Sequence, residues 1–225
     1  NHVSSQTLAN GMLQLPDGRI PEACWMQKVA DLCKKMDISE QPTCYVDGSY
    51  KEYNQPPSEY LHQVPKLRRA AGALVYANSV DNWHREKMVA VRVLNGENME
   101  PDSAFPMELL TLLMAMRFAQ YQQEHHTVIS DCQSAIDTVR PALTSVKNLF
   151  RVWNQSHITL ACRDSLPKSD AVNIVKVKSH VEQRLSDESQ WSREEMGNVA
   201  ADRMASDDPS QWTQGRTNLV ETVSF

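Results

Sequence analysis

Four acids stand where a solvent-exposed carboxylate does not usually lie. Asp47 closes the β-branched and aromatic run "TCYVDG", and Glu108 sits between Met107 and Leu109 at the start of a strongly apolar stretch. Asp131 follows "HTVIS", and Asp202 lies among small and apolar residues in "NVAADRMA". Singly, each has a local explanation. Asp47 would form a turn, Asp131 would cap the next helix, Glu108 would satisfy a helix N-terminus, and Asp202 would be a solvated helix residue. Brought together they mean something else, because clustered carboxylates in a low dielectric repel and resist joint ionisation. Divalent cations reverse that penalty, and hard oxygen ligands suit Mg²⁺ or Mn²⁺. Two such ions, about 3.5–4 Å apart, activate a water and stabilise the leaving oxygen of a phosphodiester.

The elements must therefore bring these acids together. "TCYVDGS", "AGALVYANS" and "KMVAVRVLN" read as three strands with antiparallel connections. "AFPMELLTLLMAMRFAQYQQ" is an apolar helix with Pro106 near its start, "HTVISD" a fourth strand, and "CQSAIDTVRPAL" a helix stopped near Pro141. "VKNLFRVWNQSHITLACRD" predicts another helix, "AVNIVKVKSH" a fifth strand, and "SREEMGNVAADRMAS" a last helix. The class is α/β: a five-stranded mixed sheet, three antiparallel strands and then parallel ones through crossover helices. In that connectivity the ends of strands one and four are neighbours. The helix of Glu108 lies between them in sequence, and the last helix can pack across the same edge.

Ahead of this pattern, "LPDGRIP" signals a turn, and "PEACWMQKVADLCKKM" begins with Pro21 at a first helical position. Trp25, Val29, Leu32, Cys33 and Met36 recur at helical spacing and mark one amphipathic helix. The division expected is an extension over 1–40, a main domain over 41–208, and a polar, loosely held tail over 209–225. There are no repeats or low-complexity tracts. The opening Asn1 fits a piece cut from a longer polyprotein.

Length and composition set outer bounds. The chain has 225 residues, enough for a sizeable core, with 41% apolar and 23% charged residues. No apolar run approaches the roughly 18 residues that span a bilayer. Cys24, Cys33, Cys44, Cys132 and Cys162 are odd in number and contain no C-x-x-C pair, which fits reduced intracellular thiols and no zinc site. A net charge of −5 argues against coating nucleic acid by bulk electrostatics, though not against a local basic patch.

Several motifs in order resemble those of the type 1 ribonuclease H family, including the domains attached to reverse transcriptases of retroviruses and retrotransposons. They are "YVDGS" at 45–49, "MELLTLLMAMRFA" at 107–119, "ISDCQSAI" at 129–136, "VKSH" at 177–180 and "GNVAAD" at 197–202. No single motif is decisive, and the resemblance spans roughly 41–206. It implies a ribonuclease H-like fold and an endonuclease that cuts the RNA strand of RNA–DNA hybrids. It further implies that Asp47, Glu108, Asp131 and Asp202 hold two Mg²⁺ ions, with Mn²⁺ as the alternative, and that His180 is a mobile histidine assisting proton movement or product release. Asn198 matches a polar residue near the substrate, and Gln133 one that touches RNA in the minor groove. Gly48 and Ser49 match positions that approach RNA phosphate or sugar. A reverse transcriptase domain in the same polyprotein is the implied partner.

The chain departs from the family at four places. The link between strands one and two, 51–69, is long, with Pro56, Pro57 and a basic end at Lys66, Arg68 and Arg69. Ala104 and Phe105 stand where polar residues usually precede the helix glutamate, which weakens selection through the 2′-hydroxyl. The run from His180 to Asn198 is longer than a compact loop. The basic protrusion after the second helix is reduced to Lys147 and Arg151 near Trp153. Two other readings keep the fold: a catalytically silent binding or scaffolding module, and a nuclease or strand-transfer enzyme acting on DNA.

Overall fold

Period-two alternation decides the sheet. β1 (Thr43–Tyr53) sends Cys44 and Val46 to one apolar cluster and Tyr45 to another. β2 (Leu67–Ala77) divides Leu74 and Tyr76 from Ala73, Val75 and Ala77 in the same way. β3 (Val89–Leu94) sends Val89, Val91 and Val93 to the first cluster and Ala90 to the second. Both faces are therefore buried, and each must be covered by helices.

The computed structural model describes residues 24–38, 41–53, 67–78, 88–94, 103–144, 172–206, 208, 210–211 and 218–224. The turn at "LPDGRIP", Pro21, the link over 54–66 with Pro56, Pro57 and Lys66, and the helix expected over 146–164 lie outside them. Lys147, Arg151 and Trp153 fall in that last stretch.

The first face is covered by α1 (Cys24–Lys35), α2 (Phe105–Gln122) and α3 (Gln133–Thr144). α1 contributes Trp25, Met26, Val29 and Cys33 to the same core as the sheet. In α2 every residue from Pro106 to Met116 is buried, because the helix lies on β1, β2 and β4 and also touches α1 and α3. The second face carries α4 (Arg193–Ala205), whose Ala200, Ala201, Met204 and Ala205 pack on Tyr45, Ala73 and Val75. β4 (His126–Ser130) and β5 (Val172–Lys176) complete the parallel side.

The strand order is β5-β4-β1-β2-β3-β6, with β1–β2 and β2–β3 antiparallel and β1–β4 and β4–β5 parallel. The five expected strands are present with the expected senses. A sixth corrects the reading of 209–225 as a loose tail: β6 (Asn218–Ser224) pairs in parallel with β3, across a bulge between Ala90 and Val91. An otherwise unpaired edge of β3 is the physical reason, since its open N–H and C=O groups favour a partner strand.

Two further expectations are corrected. Residues 51–53 and 67–69 belong to strands rather than to the link, in a register that runs to Tyr53↔Leu67. α3 continues past Pro141 to Thr144, so that proline costs the Asp137 carbonyl its intrahelical donor without ending the helix. Cys33, Cys44 and Cys132 are free thiols among the described residues. Among those residues, no helix is long and apolar enough to cross a membrane.

Candidate metal centre

Strand register places the first two acids. The last β1–β4 pair is Val46↔Ser130, so Asp47 and Asp131 are the next residues along two adjacent parallel strands. Asp47 does not end its strand, as the sequence led us to expect; β1 runs on for six more residues against β2. It stands instead where β4 stops, and the chain leaves the sheet at Asp131.

Glu108 arrives from α2, and a glycine lets it in. A Cβ on Gly48 would lie 2.5 Å from the Glu108 backbone nitrogen and 2.9 Å from the Met107 carbonyl carbon. Only a residue without a side chain allows the first turn of α2 so close to β1. The Gly48 N–H in turn bonds the Glu108 carboxylate. On the other face, a Cβ on Gly197 would sit 2.2 Å from the Tyr45 ring, so α4 likewise needs its glycine to settle on β1.

Asp47, Glu108 and Asp131 each offer a carboxylate oxygen within 4.8 Å of the others. Asp202 is not in that group. It stands at the exposed rim, yet its side chain hydrogen-bonds Asp47. Burial, with Glu108, Asp131 and Asp202 around it, holds the Asp47 carboxyl well above the usual carboxylate range. Burial and the nearby Asp131 push Glu108 up to about 8, against the bonds it receives from Asp47 and Gly48. Burial also raises Asp202, against the bond from Asp47 and the attraction of the His180 imidazole. By itself, then, the cluster keeps a proton where an ionised set would repel itself.

The donor set fits a hard divalent cation. Glu108 Oε2 is buried without a hydrogen-bond partner, an arrangement that is costly unless a cation takes the oxygen. The donors are all carboxylates, with no thiol or imidazole among them, which suits Mg²⁺ or Mn²⁺ over zinc.

The remaining expected residues fall into two groups. His180 lies near the cluster: its backbone is left-handed (φ 55°), its ring is exposed, and its Nδ1 is 3.4 Å from Glu182 Oε1. Asn198 is buried and donates from Nδ2 to Asp131 Oδ2 at 3.3 Å, while its Oδ1 has no partner. Gln133 is exposed at the start of α3, with Nε2 bonded to Asp137 at 2.8 Å. Ser49 is turned inward, its hydroxyl 2.7 Å from the Ala205 carbonyl and 3.3 Å from that of Ala71. The long run after His180 forms two short 3₁₀ turns around Val181, Trp191 and Val199, with Trp191 Nε1 donating to the Leu185 carbonyl. Ala104 is the N-cap of α2 and offers no side-chain cap; the helix opens on its backbone carbonyl and Pro106.

Two supporting residues were not singled out from the sequence. Lys176, the last residue of β5, donates to the Asp131 carbonyl. Arg92 is buried on β3 and reaches the end of α4. A basic residue in "KVK" and an arginine inside "VAVRVL" were the available signals, the second being a charge in a strand buried on both faces.

Solved structures share the fold. Prototype foamy virus protease–reverse transcriptase superposes with a TM-score of 0.51 at 20% identity, over 78% of this chain and 21% of that one. A mutant of the same protein gives 0.51 at 19%, over 78% and 20%. The chain has the ribonuclease H-like fold. The isolated ribonuclease H domain of that virus matches 78% of this chain and 94% of its own, at 19% identity and a TM-score of 0.48. This chain thus spans about a fifth of the protease–reverse transcriptase it matches. No family model and no curated protein matches the sequence.

Proposed function

We propose that the protein is an endoribonuclease that cuts the RNA strand of RNA–DNA hybrids by metal-assisted hydrolysis. The observation that carries the reading is the convergence of Asp47, Glu108 and Asp131 within 4.8 Å, with Glu108 Oε2 buried and unpartnered. Asp47, Glu108, Asp131 and Asp202 would hold two Mg²⁺ or Mn²⁺ ions, which supply Lewis acidity toward a phosphodiester and an activated water. The chain's own residues do the rest. Asn198 and Lys176 fix Asp131 through its carboxylate and its carbonyl. Gly48 fixes Glu108 through its N–H. His180, exposed beside Asp202, would take or give a proton at the rim as product leaves. Gln133, exposed at the head of α3, is free of the core and available to an RNA groove. Ser49 is assigned a structural bond rather than a substrate contact.

The likeness to a segment of a protease–reverse transcriptase supports a further part of the reading, that the domain works beside a polymerase in one polyprotein. Tethering raises effective concentration and offsets weak intrinsic affinity for a polyanion in a chain of net charge −5.

The deciding experiment is cleavage of a labelled RNA–DNA hybrid with Mg²⁺ or Mn²⁺ by the wild type and Asp131→Asn, with double-stranded RNA and double-stranded DNA as controls. Cutting confined to the RNA strand of the hybrid, and lost in the variant, is expected. A folded wild type that binds hybrid and cuts nothing with either ion would leave a silent binding module; cutting of DNA would redirect the substrate.

A further inference from the structure

α4 ends without a left-handed stop. Its C-cap, Ser206, is extended (φ −65°, ψ 149°), which leaves the final carbonyls in need of donors from outside the helix. Each finds one. The Arg203 carbonyl accepts from the Ser206 N–H at 3.2 Å, and the Met204 carbonyl from Arg92 Nε at 3.1 Å. The Ala205 carbonyl accepts from Ser49 Oγ at 2.7 Å, and the Ser206 carbonyl from Arg92 Nη2 at 3.0 Å. Two side chains from two strands, β1 and β3, therefore grip three successive carbonyls.

This is a costly way to finish a helix. Arg92 is only 5% exposed, and desolvating a guanidinium is unfavourable where a C-terminal glycine costs almost nothing. The return lies in what the last turn carries. Asp202 is three residues before Ala205, in the turn of a helix that frays first. Ser49 is two residues beyond Asp47 on the same strand, so the bond to Ala205 ties the frame of one acid to the frame of the other. The positive guanidinium also meets the negative end of the α4 dipole.

We propose that Arg92, together with Ser49, is a positioning residue for Asp202, clamping the last turn of α4 so that this carboxylate stays beside Asp47 and completes the ligands of a second divalent ion. The inference rests on the two-ion reading above. Neither side chain touches the reacting atoms.

The test is Mn²⁺ titration followed by electron paramagnetic resonance, paired with amide exchange, on the wild type, Arg92→Gln, Arg92→Lys, Ser49→Ala and Val29→Ala. Val29→Ala loosens the core beneath α1, away from α4. In Arg92→Gln the weaker of two Mn²⁺ sites should lose affinity by about tenfold, the size typical of removing a group that orients a ligand. Amides over 201–206 should exchange faster while those over 43–47 keep their protection. Arg92→Lys should recover part of the affinity, since one ammonium can reach one of the two carbonyls. Ser49→Ala should show a smaller change of the same kind, and it carries the test if Arg92→Gln does not fold. Wild-type Mn²⁺ affinity in a folded Arg92→Gln would overturn the inference, and so would an equal loss in Val29→Ala. A wild type that binds no Mn²⁺ at all would remove the two-ion reading itself, a result distinguishable from either.

Discussion

Asp47 and Asp131 stand side by side where two parallel strands stop pairing, the first residues beyond the last β1–β4 pair at Val46↔Ser130. Register, not loop geometry, sets their spacing, and a packed sheet cannot relax it by small motions. With Glu108 pressed in over Gly48, the acids are held near one another whether or not a cation is present. A site of this kind is preorganised for an ion and strained without it.

That strain has a sign. The unfolded chain releases the Glu108 proton near 4.5 while the native state keeps it to about 8, so metal-free stability falls as pH rises from the first value toward the second and the loss is complete above about 8. Glu108→Gln removes one charge and keeps the shape. Without metal, at a pH above about 8, it should stabilise the fold by roughly 1–2 kcal/mol while abolishing cleavage. Urea unfolding with and without Mn²⁺ measures this. The wild type should gain stability from Mn²⁺ and the variant much less. A variant no more stable than the metal-free wild type would show that the acids do not repel.

Gly48→Ala should be damaging out of proportion to one methyl group. The added Cβ would meet backbone atoms of α2 at 2.5 and 2.9 Å, not the yielding end of a side chain. The helix must shift, and Glu108 moves with it. A loss of about 1–3 kcal/mol and of hybrid cleavage is expected, checked by thermal unfolding and the cleavage assay. Gly48→Ala with wild-type stability would mean that α2 has room to move.

How much of this was legible in the sequence follows from which interactions are local. Continuous apolar runs rich in β-branched, aromatic and small residues in "CYV", "ALVYA" and "VAVRV" gave the antiparallel strands, and the apolar stretch of good helix formers around Glu108 gave its helix, because both are read from local composition. The four acids were legible as oddities against those patterns. Arg92 was harder: a charge inside the apolar run "VAVRVL" marks it as odd, but its carbonyl partners at Met204 and Ser206 lie more than a hundred residues away and nothing local names them. Ser49 was read toward substrate because its neighbours are functional, whereas its hydroxyl closes a helix. β6 escaped because "NLVETVS" lacks alternation, and its pairing depends on the open edge of β3.

β6 supplies a separate test. Ending the chain before Asn218 should expose the β3 edge from Val89 to Leu94 without touching Asp47, Glu108 or Asp131. Stability should fall by roughly 1–3 kcal/mol, and aggregation should rise as the edge becomes free to pair with other chains. Metal affinity per folded molecule should stay within about twofold of wild type. Unfolding curves and light scattering read the first two effects, and Mn²⁺ titration the third. A truncated chain of unchanged stability would show that the β3–β6 pairing contributes nothing.

His126 makes the protein sensitive to acid away from the metal site. It is fully buried, neither ring nitrogen has a hydrogen-bond partner, and Glu124 Oε2 is 3.7 Å from Nε2. The ring packs edge-on to Phe118 and Tyr76, with centroids 5.7 and 6.3 Å away. Burial, and to a lesser degree His125, lowers its pKa from 6.5 to about 4. The unfolded chain therefore takes up a proton near 6.5 that the native state refuses until about 4. Stability is complete above the first value and is lost as pH falls toward the second. At about 1.4 kcal/mol per pKa unit, the loss is on the order of 3 kcal/mol. His126→Phe keeps an aromatic ring in place and removes the titration, so the difference between variant and wild type should widen from about pH 7 to pH 4.5 in urea unfolding. A constant difference across that range would mean that His126 finds a partner on protonation, with Glu124 the nearest candidate.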